Sequence, residues 1–294
     1  MEDATNVLVQ RRRLAEALTV ARKKADKTQA EAAAAMDSSL SKIQRIEKGT
    51  NTINISDLKE LLRFYNVTEQ YDQLLTLGRE ARKSPWWGEY RTSAPRALLA
   101  LIENESVASA IKQFETTFIP GILQTENYAR AVLEAYHDDK AEPGRVNALV
   151  ELRTKRLELL DAENLPRFHF VLDEPVLHRV IANRSVMREQ LRRLVEVTNR
   201  PNVTIQILPF TAGLHPGMGG LPFEIIEFAS EEGARIAVEG NGDVVVEETS
   251  HGVDITNKLE KVRSRWETFK RLSEMSLNQG DSIKFLNEVA DEMK

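Results

Sequence analysis

The sequence predicts two domains: an all-α, five-helix domain over residues 1–83, then an α+β domain over residues 84–294 with a mainly antiparallel sheet. Three observations carry this. Apolar residues recur at helical spacing in five short segments as far as Ala81. Ser84-Pro85-Trp86-Trp87-Gly88 then interrupts the pattern with two helix breakers and two large rings that need cover. From Asn202 onward the apolar period changes to two.

Residues 1–10 are expected to fray. The first helix is expected over Arg11–Lys24, with Leu14, Ala17, Leu18 and Ala21 as its apolar stripe. Arg11, Arg12 and Arg13 either contact phosphates or form a solvated helix face. Thr28 with Glu31 three residues on is a capping-box pattern and opens the second helix. Ala30 and Ala32 to Ala35 keep that helix narrow, so the next can cross it closely. Asp37 sits at the turn, where a left-handed residue, usually Gly, is wanted and Asp tolerates the conformation less well. Ser38 or Ser39 caps the third helix.

Winding the third helix at about 100° per residue separates its faces. Ile43, Ile46 and Glu47 fall on one side; Ser41, Gln44, Arg45 and Lys48 fall on the other. The outer face is polar and cationic, which suits a helix lying in the DNA major groove. Arg45 can donate two bonds to a guanine, Gln44 can read adenine, and Ser41 can serve either. Gln29 would hold a phosphate, and Lys42 and Lys48 add positive charge. Leu40, at the edge of the inner face, is either core or an apolar contact to a thymine methyl. The candidate DNA-contacting set is Thr28, Gln29, Ser38, Ser39, Leu40, Ser41, Lys42, Gln44, Arg45 and Lys48. A loop over Thr50–Asn54 follows, whose amides can reach a phosphate. Ile55, Leu58, Leu62 and Tyr65 mark a fourth helix; Thr68 caps a fifth carrying Tyr71, Leu74 and Leu75.

Gln29, Ala33, the turn at Asp37 to Ser39, Ile43, Ile46, Glu47 and Gly49 resemble the lambda-repressor-like, XRE-type helix-turn-helix, over roughly residues 10–80. That resemblance implies an ion pair between Arg22 and Glu47, with a structural role. Asp37 departs from the family's turn Gly, and Leu40 stands where a base-reading polar residue is common.

Residues 1–83 carry 15 Lys+Arg and 12 Asp+Glu, a net +3, so the remainder of this −5 chain carries −8. A basic module on an acidic body suits a DNA-binding domain joined to a non-DNA-binding one. With no Cys, disulfides, thiolate metal sites and Cys nucleophiles are excluded, and a reducing cytoplasm is expected. No apolar run is long enough for a membrane span, and no signal-peptide pattern begins the chain.

In the body, a long helix is expected from Pro95 to about Gln113. Pro120-Gly121 turns, Thr125 caps a helix carrying Tyr128, Val132 and Leu133, and another helix covers about 145–160. Residues 167–173 alternate as a strand; Pro175 opens a short helix, and Ser185 caps one carrying Met187, Leu191 and Leu194. Four strands follow, V-T-I-Q-I-L-P-F, L-P-F-E-I-I-E-F, A-R-I-A-V-E and D-V-V-V-E-E, with Asn241-Gly242 as a hairpin signal between the last two. Leu259–Ser273 and Ile283–Met293 close the chain as helices.

Trp86-Trp87, the run Phe118–Ala129, Leu172-Asp173-Glu174, Val186–Leu191 and Ile205–Pro209 resemble the C-terminal domain of WhiJ-like, antitoxin-like regulators of actinobacteria. The resemblance implies a regulatory or partner-binding role, often beside a small acidic partner protein encoded nearby. It carries no catalytic residue.

Other motifs read as structure. Gly213–Gly220 lacks the Lys-Ser/Thr ending of a P-loop and precedes a strand, so it is expected to be an inter-strand loop. His137, His169, His178, His215 and His251 are scattered without an i, i+4 pair, so no metal is expected. Asp173 and Glu174 are adjacent on a strand and point to opposite faces, and a helix cap before Pro175 is the plainer reading. No nucleophile elbow is present. The expectation is a cytoplasmic, dimeric, DNA-binding transcriptional regulator without catalytic residues or cofactor, binding double-stranded DNA. The rivals are an antitoxin-like interaction protein and an enzyme regulated by its own N-terminal domain.

Overall fold

The computed structural model describes residues 6–136, 144–160, 166–228, 243–249 and 252–293. The chain divides into two compact units, Met1–Gly88 and Glu89–Lys294.

The first unit holds five helices: α1 (Asn6–Lys24), α2 (Gln29–Ala35), α3 (Leu40–Glu47), α4 (Ile55–Phe64) and α5 (Tyr71–Glu80). The first helix already runs from Asn6, ahead of the expected Arg11, because Val7 is only 1% exposed and anchors the extra turns. Leu14, Leu18, Ala33, Ile43, Ile46, Leu58, Leu61, Leu62 and Leu74 share one core. The capping box at α2 is complete: Thr28 Oγ1 accepts from Glu31 N at 3.1 Å, and Thr28 N donates to Glu31 Oε2 at 2.8 Å. Ser39, not Ser38, caps α3, its Oγ accepting from Lys42 N. Thr68 does not cap α5, whose first turn follows Gln70 without a side-chain cap.

The second unit holds helices α6 (Arg96–Glu105), α7 (Glu126–Tyr136), α8 (Arg145–Arg156), α9 (Pro175–His178), α10 (Arg184–Val197), α11 (Leu259–Met275) and α12 (Gln279–Glu292). Its strands are β1 (Ala110–Glu115), β2 (Arg167–Asp173), β3 (Val203–Leu208), β4 (Phe223–Glu227), β5 (Val244–Thr249) and β6 (Gly252–Thr256), in the order β3-β2-β1-β4-β5-β6.

The sheet corrects the expectation of a mainly antiparallel one: it is mixed. β1 pairs with β2 and β2 with β3 in parallel, while β1–β4, β4–β5 and β5–β6 are antiparallel. The parallel pairs follow from α7–α8 and α9–α10, which carry the chain back between successive strands as helical crossovers. The helix expected to reach Gln113 ends at Glu105, where Ser106 Oγ turns back to Glu103 O, and the chain re-forms as β1. Asn183, rather than Ser185, caps α10. The expected strand A-R-I-A-V-E and the Asn241-Gly242 turn lie outside the described residues.

One face of the sheet packs Phe168, Phe170, Leu172 and Ile205 against Tyr128, Leu191, Leu194 and Leu286. The other packs Phe114, Val171, Ile225 and Val245 against Val262, Phe269 and Leu272 of α11. Among the described residues no helix is long and apolar enough to cross a membrane.

Candidate nucleic-acid interface

Helix α3 presents two chemically distinct sides. Ile43 and Ile46 are 1% and 3% exposed, so the inner side is core. Ser41, Gln44, Arg45 and Lys48 are all exposed within this unit. Leu40 is 44% exposed, which places it on the open side rather than in the core.

Both ends of α3 are fixed by backbone chemistry. At the start, Asp37 takes a φ of 44° and lets the chain double back, after which Ser39 caps the first turn. At the end, Gly49 takes a φ of 70°, Thr50 N donates to Arg45 O at 3.0 Å and Gly49 N to Ile46 O at 3.0 Å. These two bonds form a Schellman motif, and the positive φ is why Gly stands there.

The orientation of α3 is held by ion pairs. Arg22 grips Glu47 with Nε on Oε1 at 2.7 Å and Nη2 on Oε2 at 2.9 Å, and its Nη1 donates to Lys27 O at 2.9 Å. Gln29 Nε2 donates to Glu47 Oε2 at 2.8 Å. Burial works to raise the Glu47 carboxyl, but the hydrogen bonds from Arg22 and Gln29 outweigh it and hold it below the usual range. Lys42 Nζ reaches Asp57 Oδ2 on α4 at 2.8 Å, and that bond lowers the Asp57 carboxyl. A hollow of about 340 Å³ opens beside this network, with Gln44 and Lys48 in its wall.

The candidate residues therefore separate. Ser41, Gln44, Arg45 and Lys48 form an open stripe, with exposed Ser39 and Leu40 at its N-terminal end and exposed Thr28 in the α2 cap. Arg45 Nε donates to Ser41 O at 3.2 Å, which lays the guanidinium along the helix. Gln29 and Lys42 have their donors engaged inside the protein, and Ser38 Oγ is buried without a partner. Arg11 donates from Nε to Ala81 O at 2.7 Å and so closes the end of α5. The Lys42–Asp57 pair was not anticipated, although Asn54-x-x-Asp57, with Asn54 Oδ1 accepting from Asp57 N at 2.7 Å, is a visible N-cap signal.

Residues 19–71 match a helix-turn-helix model, and residues 98–288 match the model of a domain of unknown function, DUF5753. The chain belongs to the DUF5753 family. The helix-turn-helix ahead of the DUF5753 domain is the XRE-like arrangement, and it points to a DNA-binding regulator. No match was found among curated proteins or among solved structures.

In the DUF5753 domain, Gly217 packs so closely on Phe114 that a Cβ would stand 2.4 Å from the ring, which gives the glycine-rich loop a structural anchor. Glu174 stands at the N-cap of α9, ahead of Pro175, but its side chain makes no cap hydrogen bond; its Oε2 accepts from Phe210 N at 2.6 Å and its Oε1 lies 3.2 Å from His178 Nε2. His215 Nε2 stands 3.9 Å from Asp173 Oδ2, beyond hydrogen-bond range. Among the described residues no group of His, Asp and Glu is arranged to hold a metal ion. His137 and His251 lie outside the described residues.

Proposed function

We propose that this protein is a sequence-specific transcriptional regulator that inserts α3 into the DNA major groove and acts as a dimer, without catalytic chemistry. The observation that carries the reading is the open stripe of Ser41, Gln44, Arg45 and Lys48 on a helix whose opposite side is sealed by Ile43 and Ile46. Arg45 is the base reader, bidentate to a guanine, and Gln44 reads an adjacent adenine. Lys48 and Ser39 position the unit on phosphates, whereas Thr28, whose amide and hydroxyl both donate to Glu31, and the Thr50 and Asn51 amides, both bonded to Arg45 O, serve the fold. Gln29 and Lys42 act mainly by holding the helix, each through its intramolecular partner. One such helix makes few contacts for tight specific binding, which motivates two copies on half-sites about 34–36 Å apart.

A second reading, an antitoxin-like role in which the DUF5753 domain binds a small acidic partner protein encoded nearby, is favoured by one surface. Phe210, Leu214, Met218 and Leu221 are 61%, 87%, 64% and 43% exposed within one short segment. Exposed apolar groups so concentrated mark a contact surface. The dimer contact is the alternative use of the same segment.

The test is Arg45→Ala. Footprinting with the wild-type protein defines the operator; gel shifts at fixed salt then compare operator with a guanine-substituted site. The variant is expected to lose discrimination worth on the order of 1–3 kcal/mol while its circular dichroism is unchanged. An unaltered preference refutes the assignment.

A further inference from the structure

The DUF5753 domain gathers ionisable side chains that neither reading uses. Register places Gln113 opposite Glu224, and Glu224 opposite Val246. The two-residue alternation puts Glu115 on β1 and Glu248 on β5 on that same face, with β4 and its Glu224 between them. Glu105 enters from the end of α6, and Arg153 and Arg156 from α8. Arg156 and Glu105, both buried, satisfy each other through Nε on Oε2 at 3.1 Å and a second, shorter contact between Nη2 and Oε1. Arg153 Nη1 donates to Gln124 Oε1 at 2.7 Å, and Gln113 Nε2 to Glu115 Oε1 at 2.8 Å.

Glu224 is left over. It is 5% exposed, and its Oε1 is buried with no hydrogen-bond partner. Once Glu105 and Arg156 neutralise each other, Glu115, Glu224 and Glu248 stand against Arg153 alone. The group is rich in acceptors and poor in donors. It also opens to water, because Gln113, Glu115 and Arg153 are half-buried and Glu248 is exposed.

We propose that this cluster is the binding site for a small organic cation carrying a primary ammonium, whose N–H donates to the unpartnered Glu224 Oε1 and whose charge is balanced at longer range by the Glu115 and Glu248 carboxylates. An ammonium supplies several donors and one positive charge at a single atom, which is what the cluster lacks. A metal ion is the poorer fit, since the described carboxylates are not arranged to hold one. An anion would face three carboxyls. Burial pushes the Glu224 carboxyl well above its ordinary range, with Glu105, Glu115 and Glu248 adding to the effect and Arg156 opposing it. Burial and Glu248 push Glu115 up to about 8. Tyr128 on α7, which feels Glu115 and Arg153, has its hydroxyl raised by burial and adds no charge at neutral pH. The cluster therefore holds protons near neutrality, and docking an ammonium expels them. Binding strengthens as the pH rises through about 8, where Glu115 gives up its proton.

The test is calorimetry on the full-length chain with 1,4-diaminobutane and n-butylamine as probes and n-butanol as the uncharged control. It is run near pH 7 and near pH 9, in two buffers of different ionisation enthalpy that count released protons. Saturable binding of an amine, proton release near neutrality and no binding of butanol are expected. Glu224→Gln, which keeps the side-chain volume, is expected to weaken binding at least about tenfold. Glu248→Gln, at an exposed position that leaves folding intact, is expected to weaken it severalfold. Absence of amine binding, equal binding of butanol, or undiminished binding by both variants overturns the proposal. No DNA is present, so this outcome is independent of the groove reading.

Discussion

Asp37 holds a left-handed φ of 44°, a conformation that costs a residue with a Cβ about 1–2 kcal/mol. Asp37→Gly is therefore expected to raise stability by roughly 1 kcal/mol, read from the urea midpoint with an unchanged slope. The opposite outcome is expected at Glu47, which accepts from Arg22 and Gln29 with 5% of its side chain exposed. Glu47→Gln leaves the Arg22 guanidinium without its counter-charge and is expected to cost about 3–5 kcal/mol. The Glu47 carboxyl lies below its unfolded value, so its contribution is complete above that value. It is lost as pH falls through the folded one, and the variant's acid limb should be flatter. The polar stripe and its apolar reverse were legible in the spacing of Ile43, Ile46, Ser41, Gln44 and Arg45. The inward use of Gln29 and Lys42 was not, because a long polar side chain turns to an intramolecular partner as readily as outward.

At the scale of elements, α4 and α5 meet where Gly78 faces Leu58. A Cβ on Gly78 would stand 2.3 Å from Leu58 Cδ2, and Leu58 is wholly buried. Gly78→Ala improves helix propensity by about 1 kcal/mol, yet the overlap in a packed core should outweigh it. The expected result is a lower melting temperature, checked by calorimetry. The helices of the first unit were legible because their apolar periods are clear and the caps at α2 and α3 agree with them, whereas the cap at Thr68 is not used. β1 was not: Ile111 and Phe114 stand three apart, a spacing a helix also uses, and the break at Ser106 is short. Strand direction was hidden too, since a period of two is the same in either sense and only the crossovers decide it. β6, five residues with only Val253 and Ile255 apolar inside it, carries too short a pattern to register.

At the scale of the whole molecule, the two halves of the charge ledger behave differently with pH. Glu115 has a folded value near 8 and an ordinary unfolded one, so the folded chain holds the extra proton between them. Its effect is to lower stability as pH rises from about 4.5 to about 8. Glu115→Gln is expected to gain on the wild type across that window and then level off, measured as the difference between their urea midpoints. The division into a basic helical unit and an acidic α+β unit was legible in composition; the carboxyl cluster was not, since its members come from α6, β1, α8, β4 and β5 and meet only in the folded sheet. That sheet also imposes an order on synthesis. β1 is flanked by β2 on one side and β4 on the other, and Ser109 Oγ bonds to Glu227 O 118 residues ahead. A ribosome releases β1, β2 and β3 while the second flank of β1 has no mate. For that interval the nascent domain carries an open edge along its future centre, the feature that invites intermolecular pairing. Translation speed and chaperone access over residues 116–222 thus bear on the yield of folded protein as much as final stability does.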